Sequence, residues 1–152
     1  MLPRNSTKPV ADSLSNGSLV TYENDNVLLV GVIQDFKRQK YIVLNDRGRE
    51  IELTADRLHL LPGRLGAELT TTQAKVDQLH KLALEARNES AKINLFEIWE
   101  AVCDEAREFR NDELTQLYFG NIDLTAHLAL RSALVGDRIY FKRKKEFFIA
   151  RA

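Results

Sequence analysis

The stretch that decides the fold is residues 111–150, NDELTQLYFGNIDLTAHLALRSALVGDRIYFKRKKEFFIA. Asn111 reads as the cap of a helix over 112–119, with Asp112 and Glu113 in the first turn, where the positive end of the helix dipole favours acids. Gly120 ends that helix. Asp123 caps a second helix running to Val135, and Gly136 ends it. Residues 138–141 and 147–150 then read as two strands around a turn over 142–146. Just upstream, Asn94 caps a further helix, with Glu97 three residues on at the spacing of a capping box. Leu95, Ile98, Trp99, Val102, Cys103 and Ala106 share one arc of that helix, and Glu97, Glu100, Asp104 and Glu105 fill the other. Three helices followed by a hairpin is the order of a winged helix-turn-helix.

Working outward, residues 70–90 predict a helix capped within 70–72. Its apolar arc is Val76, Leu79, Leu82, Ala83 and Ala86, and Asp77, Gln78, Lys81 and Glu85 face away. Residues 17–63 read as β: short strands at 18–22, 27–36, 41–45, 50–54 and 58–61, separated by the polar turns 37–40 and 46–49. Several short strands with tight turns in so small a span predict a small SH3-like or Tudor-like barrel. The expected fold class is therefore α+β: a small SH3-like β-barrel, a connecting helix and a winged helix-turn-helix domain. The expected boundaries are a disordered tail over 1–16, the barrel over 17–66, the connecting helix over 67–92 and the winged-helix domain over 93–152.

The 22 basic and 22 acidic side chains cancel, so any polyanion partner must be held by a local patch rather than by net charge. Residues 1–66 carry 9 basic and 8 acidic side chains, 67–136 carry 7 and 12, and 137–152 carry 6 and 2. The last segment is the one concentrated basic feature. The single cysteine, Cys103, excludes an internal disulfide framework and a cysteine-rich zinc site. No apolar run approaches the roughly 20 residues that span a bilayer, and the first residues, MLPRNS, show no signal-peptide core. The expectation is a cytoplasmic protein with no membrane partner.

Lys142, Arg143, Lys144 and Lys145 form a cationic tip flanked by Tyr140, Phe141, Phe147 and Phe148. Cations neutralise phosphates and an exposed ring stacks on an unpaired base, a combination suited to single-stranded nucleic acid. The competing reading is a solvated turn whose aromatics form the hairpin's own core. Lys37, Arg38 and Lys40, with Tyr41 beside them, make a second such patch or an ordinary polar turn. In the third helix, Thr125, Ala129 and Ser132 are expected to face outward, and only Arg131 and His127 could donate to a base or phosphate. That is too little for sequence-specific reading of the major groove.

No catalytic constellation stands out. Hydrolysis of RNA by metal ions needs clustered carboxylates, but Asp104-Glu105 and Asp112-Glu113 read as a solvated helix face and a first helix turn. His59, His80 and His127 are widely spaced, Cys103 falls on an apolar arc, and Gly63 and Gly66 belong to no phosphate-binding loop.

Three segments nevertheless resemble a known family. Leu95-Phe96-Glu97-Ile98-Trp99-Glu100, Asp112 through Gly120 and Leu134 through Arg143 are similar to the N-terminal region of bacterial ribonuclease II/R-family (RNB-type) exoribonucleases. Gly17 through Tyr22 and Val43 through Arg49 look like the barrel that precedes it in one branch of that family. The resemblance covers most of residues 17–151 and lacks the cold-shock-type OB domains that open better-known members. It implies a parent that degrades RNA from the 3′ end. The aspartates and magnesium of that parent belong to a catalytic domain that would follow Ala152, so no catalytic residue carries over and this segment needs no cofactor of its own. The implied role is guiding single-stranded RNA toward that domain. The residues expected to do so are Lys142, Arg143, Lys144 and Lys145, then Lys37, Arg38 and Lys40, with Arg131 and Tyr140 beside them. The rival roles are a protein-interaction or autoregulatory module, favoured by the acidic helical body, and a stand-alone winged-helix regulator of DNA.

Overall fold

A computed structural model describes residues 14–25, 27–144 and 146–152. The chain is mixed α+β, with a five-stranded antiparallel sheet, a two-stranded hairpin and four α-helices. It divides into two compact units that meet between Lys81 and Leu82. The expected tail falls largely on residues 1–13, outside the described residues.

The first unit is built from β1 (Ser18–Asn24), β2 (Val27–Lys37), β3 (Lys40–Asn45), β4 (Glu50–Leu53) and β5 (His59–Arg64), in the sheet order β4-β3-β2-β1-β5. A 3-10 turn, Ala55–Arg57, leads into β5, which returns to pair with β1. One face of the sheet gathers Val20, Tyr22, Leu29, Ile33, Val43, Leu53 and Leu58 into a core. Leu19, Val32, Leu44 and Leu61, of intervening parity, are buried as well. This is why β2 reads as an unbroken apolar run rather than an alternation. Gly31 sits where β2 and β3 approach most closely: a Cβ there would lie 2.5 Å from Val43 Cγ1 and 2.9 Å from the Leu44 carbonyl oxygen. The β3–β4 turn is organised by buried Asn45. Its Oδ1 accepts from the Arg47 and Arg49 N–H groups at 2.9 and 3.0 Å, and its Nδ2 donates to the Tyr22 hydroxyl at 3.0 Å. Burial is the main reason the Tyr22 phenol lies above its ordinary pKa.

Helix α1 (Thr72–Ser90) runs across the division between the units. Thr71 Oγ1 caps it by accepting from the Ala74 N–H at 3.1 Å. It buries Leu79, Leu82 and Ala86 from the expected arc.

The second unit contains α2 (Leu95–Val102), α3 (Asn111–Phe119), α4 (Leu124–Gly136), β6 (Phe141–Lys144) and β7 (Phe147–Ala150). Its core is Ile98, Val102, Phe109, Leu114, Leu130, Leu134, Phe141 and Phe148. Phe109 exchanges two backbone hydrogen bonds with Phe148, at 2.8 and 2.9 Å, so the α2–α3 connection lies alongside β7.

Four local expectations are corrected. Asn111 is not a cap: it is buried, and its Nδ2 donates to the His127 carbonyl at 3.1 Å. The cap position falls on Arg110, whose N–H is taken by the Glu113 carboxylate at 2.9 Å. Asn94 does cap α2, through the Phe96 N–H, but its own N–H goes to the Tyr118 hydroxyl rather than to Glu97. Helix α2 stops at Val102, which leaves Ala106 exposed and Cys103 half-buried. Finally, β6 starts at Phe141 rather than at Arg138. The Asp137 carboxylate accepts the N–H groups of Ile139, Tyr140 and Phe141 at 3.2, 2.9 and 2.7 Å, which commits that backbone to a loop. Gly120, with φ 79°, and Asp123, accepting from the Ala126 N–H at 2.9 Å, end and start their helices as expected.

Candidate nucleic-acid interface

The β2–β3 hairpin carries the first group of expected cations. Its ladder slips between Ile33 and Asp35, then pairs Asp35 with Ile42, Phe36 with Tyr41 and Lys37 with Lys40. The connection is the two residues Arg38 and Gln39, both at positive φ, 53° and 68°. This is the twist-matched hairpin turn, normally filled by Asn and Gly because side chains with a Cβ resist that region. Lys37 and Lys40 face each other in register, and like charges directly opposite destabilise a pair. Among the described residues only Lys37 has nearby relief, from Asp35 at 3.6 Å. Lys37, Arg38 and Lys40 are all exposed. Next to them in the ladder Phe36, 48% exposed, packs its ring against Tyr41 with centroids 4.6 Å apart. Phe36 was not picked out from the sequence, because it closes an apolar run that reads as core. It lies two residues before the turn at Arg38 and Gln39, beyond a register slip at Gln34.

The C-terminal hairpin of the second unit differs from expectation. Lys142, Arg143 and Lys144 lie within strand β6, not in the turn, and all three are exposed. Lys145 lies outside the described residues. Strand β6 is the outer member of its hairpin, and lysines on such a strand also discourage pairing with other chains. Lys144 pairs with Glu108 at 3.2 Å. Of the flanking aromatics Phe147 is half-buried and the others are taken up by packing. Phe141 and Phe148 are core, and half-buried Tyr140 sits in a cluster with Phe96 and Trp99, its ring centroid 6.0 and 6.2 Å from theirs. Trp99 is held there by its Nε1–H, which donates to the Arg151 carbonyl at 2.7 Å.

Helix α4 is closed to ligands over most of its surface. Arg131 is 2% exposed, its guanidinium 5.8 Å from the centre of the Phe148 ring. It therefore does not reach a phosphate, contrary to the sequence expectation. Ala129, expected to face outward, is fully buried. His127 is buried with its Nε2 2.6 Å from Asp112 Oδ1. Burial pulls its pKa below the ordinary histidine value, more than the neighbouring carboxylate raises it. A helix enclosed on this scale has no face to lay in a major groove.

The acidic pairs lie in structural roles. Glu105 and Glu113 both bind Arg107, at 3.3 and 3.1 Å. The Arg110 N–H holds the Glu113 carboxyl below its usual pKa. Half-buried Cys103 directs its thiol to the Glu100 carbonyl at 3.7 Å. Among the described residues no three His, Cys, Asp or Glu side chains converge. No described helix is long and apolar enough to cross a membrane.

No protein-family model matches the chain, and no curated protein or solved structure matches it.

Proposed function

We propose that this chain is a non-catalytic segment that holds single-stranded RNA, the front end of a ribonuclease II-like 3′–5′ exoribonuclease whose magnesium-dependent catalytic domain lies elsewhere in the same protein. The observation that carries it is the β2–β3 tip. Three exposed cations follow a half-exposed phenylalanine in sequence, at a turn whose two residues at positive φ and whose facing lysines both work against stability. Departures from local rules with no structural gain are where function is expected. Phosphates relieve the charge opposition, and the Phe36 ring offers the sequence-tolerant stacking surface that unpaired bases use. Lys142, Arg143 and Lys144 on β6 add a second run of positive charge.

On this reading the first unit is an SH3-like barrel. Supporting it are the β4-β3-β2-β1-β5 order, the 3-10 turn before the last strand and that strand's return to β1. The second unit is a winged helix, supported by three helices, the strand-like contact at Phe109 between α2 and α3, and the terminal hairpin.

Fluorescence anisotropy with a labelled oligouridylate tests the function. Binding that weakens steeply with salt is expected, and no binding at low salt would refute it. A native protein much heavier than 17.4 kDa would support the ribonuclease parent. A protein-docking role is the second reading, favoured by Leu117 and Ile122 standing 52% and 43% exposed on an acidic body. A DNA regulator is disfavoured by the burial of α4.

A further inference from the structure

The ladder slip just before Phe36 leaves Gln34 out of register. Its amide oxygen accepts from Lys75 Nζ at 3.2 Å, and its amide nitrogen faces Glu50 at 3.5 Å. Around it, within the first unit, opens a cleft of about 480 Å³, inside the range of small-ligand sites, about 300–1,000 Å³. Val32, Leu65 and Leu69 give it apolar surface, and Arg64 and Lys75 give it positive charge.

Both cations are held by neutral acceptors. Arg64 donates to the hydroxyls of Ser15 and Ser18 at 3.0 and 3.2 Å and to the Asn16 carbonyl. Among the described residues Lys75 donates only to Gln34, and neither cation meets a carboxylate within ion-pairing distance. Half-buried Lys75 therefore presents a charge that an incoming anion can take up. Glu68, its carboxylate folded over Gly66, lies at the edge of the cleft, and the lining residues include no acid.

Apolar surface beside two cations matches a ligand with a flat apolar body and an anionic group. Phe36 stands two residues from Gln34 on the same strand, about 7 Å along it. We infer that the cleft is a nucleotide site: it takes one nucleotide of the strand whose neighbouring base stacks on Phe36, with the phosphate on Lys75 and Arg64. This rests on the RNA-holding role proposed above.

The probe is adenosine 5′-monophosphate, titrated into the full chain and followed by amide NMR. Saturable shifts are expected at the Gln34 side-chain amide, Leu65, Ala67 and Thr70. Lys75→Gln should weaken that binding by about tenfold or more, the loss of one charge-assisted hydrogen bond. Ala67→Trp, which fills the cleft and leaves every charge in place, should abolish it. Shifts confined to the hairpin tip or to β6, or a titration that neither variant alters, would overturn the site. Equal shifts with inorganic phosphate alone would overturn the nucleotide class. Oligouridylate binding that Lys75→Gln leaves unchanged would remove the cleft and keep the RNA role. Monophosphate in the cleft with no oligouridylate binding would keep the cleft and remove the RNA role.

Discussion

On the proposed RNA-holding role, Phe36 and its three neighbouring cations should make separable contributions to binding. The Phe36 ring is half exposed and contacts Tyr41 rather than the main core, so Phe36→Ala should leave the fold intact. One base stacked on an aromatic is worth about 1–3 kcal/mol, so the variant should bind about five- to 150-fold more weakly. Because the ring is uncharged, the dependence on salt should not change. The cations behave the other way. Each phosphate neutralised on a single strand contributes about −0.7 to the slope of log K against log salt. Replacing Lys37, Arg38 and Lys40 together by Gln should therefore flatten the slope by about 2. Lys37 must leave Asp35 to reach a phosphate, but an exposed pair at 3.6 Å opposes this by no more than about 1 kcal/mol. The assay is anisotropy of a labelled oligouridylate across a series of potassium chloride concentrations. Phe36→Ala should give a parallel line, displaced downward, and the triple variant a shallower one. A Phe36→Ala line that overlays the wild type would refute stacking at the tip, and an unaltered slope in the triple variant would refute phosphate contact there.

The remaining expectations follow from the two cores and the C-terminal hairpin. Neutralising Lys142, Arg143 and Lys144 should flatten the same salt plot, whereas Arg131→Gln, at a buried position, should leave its slope unchanged and lower the urea midpoint instead. Phe148→Ala removes a fully buried ring from the second core and should cost about 3–5 kcal/mol in urea unfolding followed by Trp99 fluorescence. Asn45→Leu strands the Tyr22 hydroxyl and two turn N–H groups and should destabilise the first unit by about 1–3 kcal/mol or more, read by amide exchange across β3 and β4. His127 is held neutral by burial, with Arg131 acting in the same direction and Asp112 against it. The unfolded chain therefore takes up its proton first, so stability is fully present above about pH 6.5 and falls as the pH drops toward the folded value. A urea midpoint unchanged between about pH 7.5 and about pH 5.5, or a decline that persists in His127→Gln, would contradict this.

Element order was legible along the chain because its signals are local. Gly120 is followed by Asn121 and Ile122 before the cap at Asp123, and those few residues carry the whole helix–turn–helix boundary. The turns at 37–40 and 46–49 mark strands that the structure places within a residue or three of their expected ends. The division between the units was less legible, because α1 is one continuous amphipathic helix and nothing in its periodicity marks Lys81.

The residues named for RNA divide according to what their positions depend on. Lys37, Arg38, Lys40, Lys142, Arg143 and Lys144 are exposed as their charge predicts, since an ammonium or guanidinium leaves water only when paired. Arg131, Tyr140 and Ala129 are not where helical periodicity and composition put them. A helix covered on one side follows a periodicity rule, but α4 is enclosed on nearly every side, and which residues surround it is a long-range fact. Phe36 shows the converse. An apolar residue at the end of an apolar run reads as core, but Phe36 lies past a one-residue slip against β3, next to the turn, and is half exposed. The sequence by itself determined the elements, their order and the charged segments, because capping, turn chemistry and solvation act over a few residues. Tertiary structure alone decided which aromatic is exposed, which arginine is buried and where a cleft opens, because burial and register depend on residues brought together from distant parts of the chain.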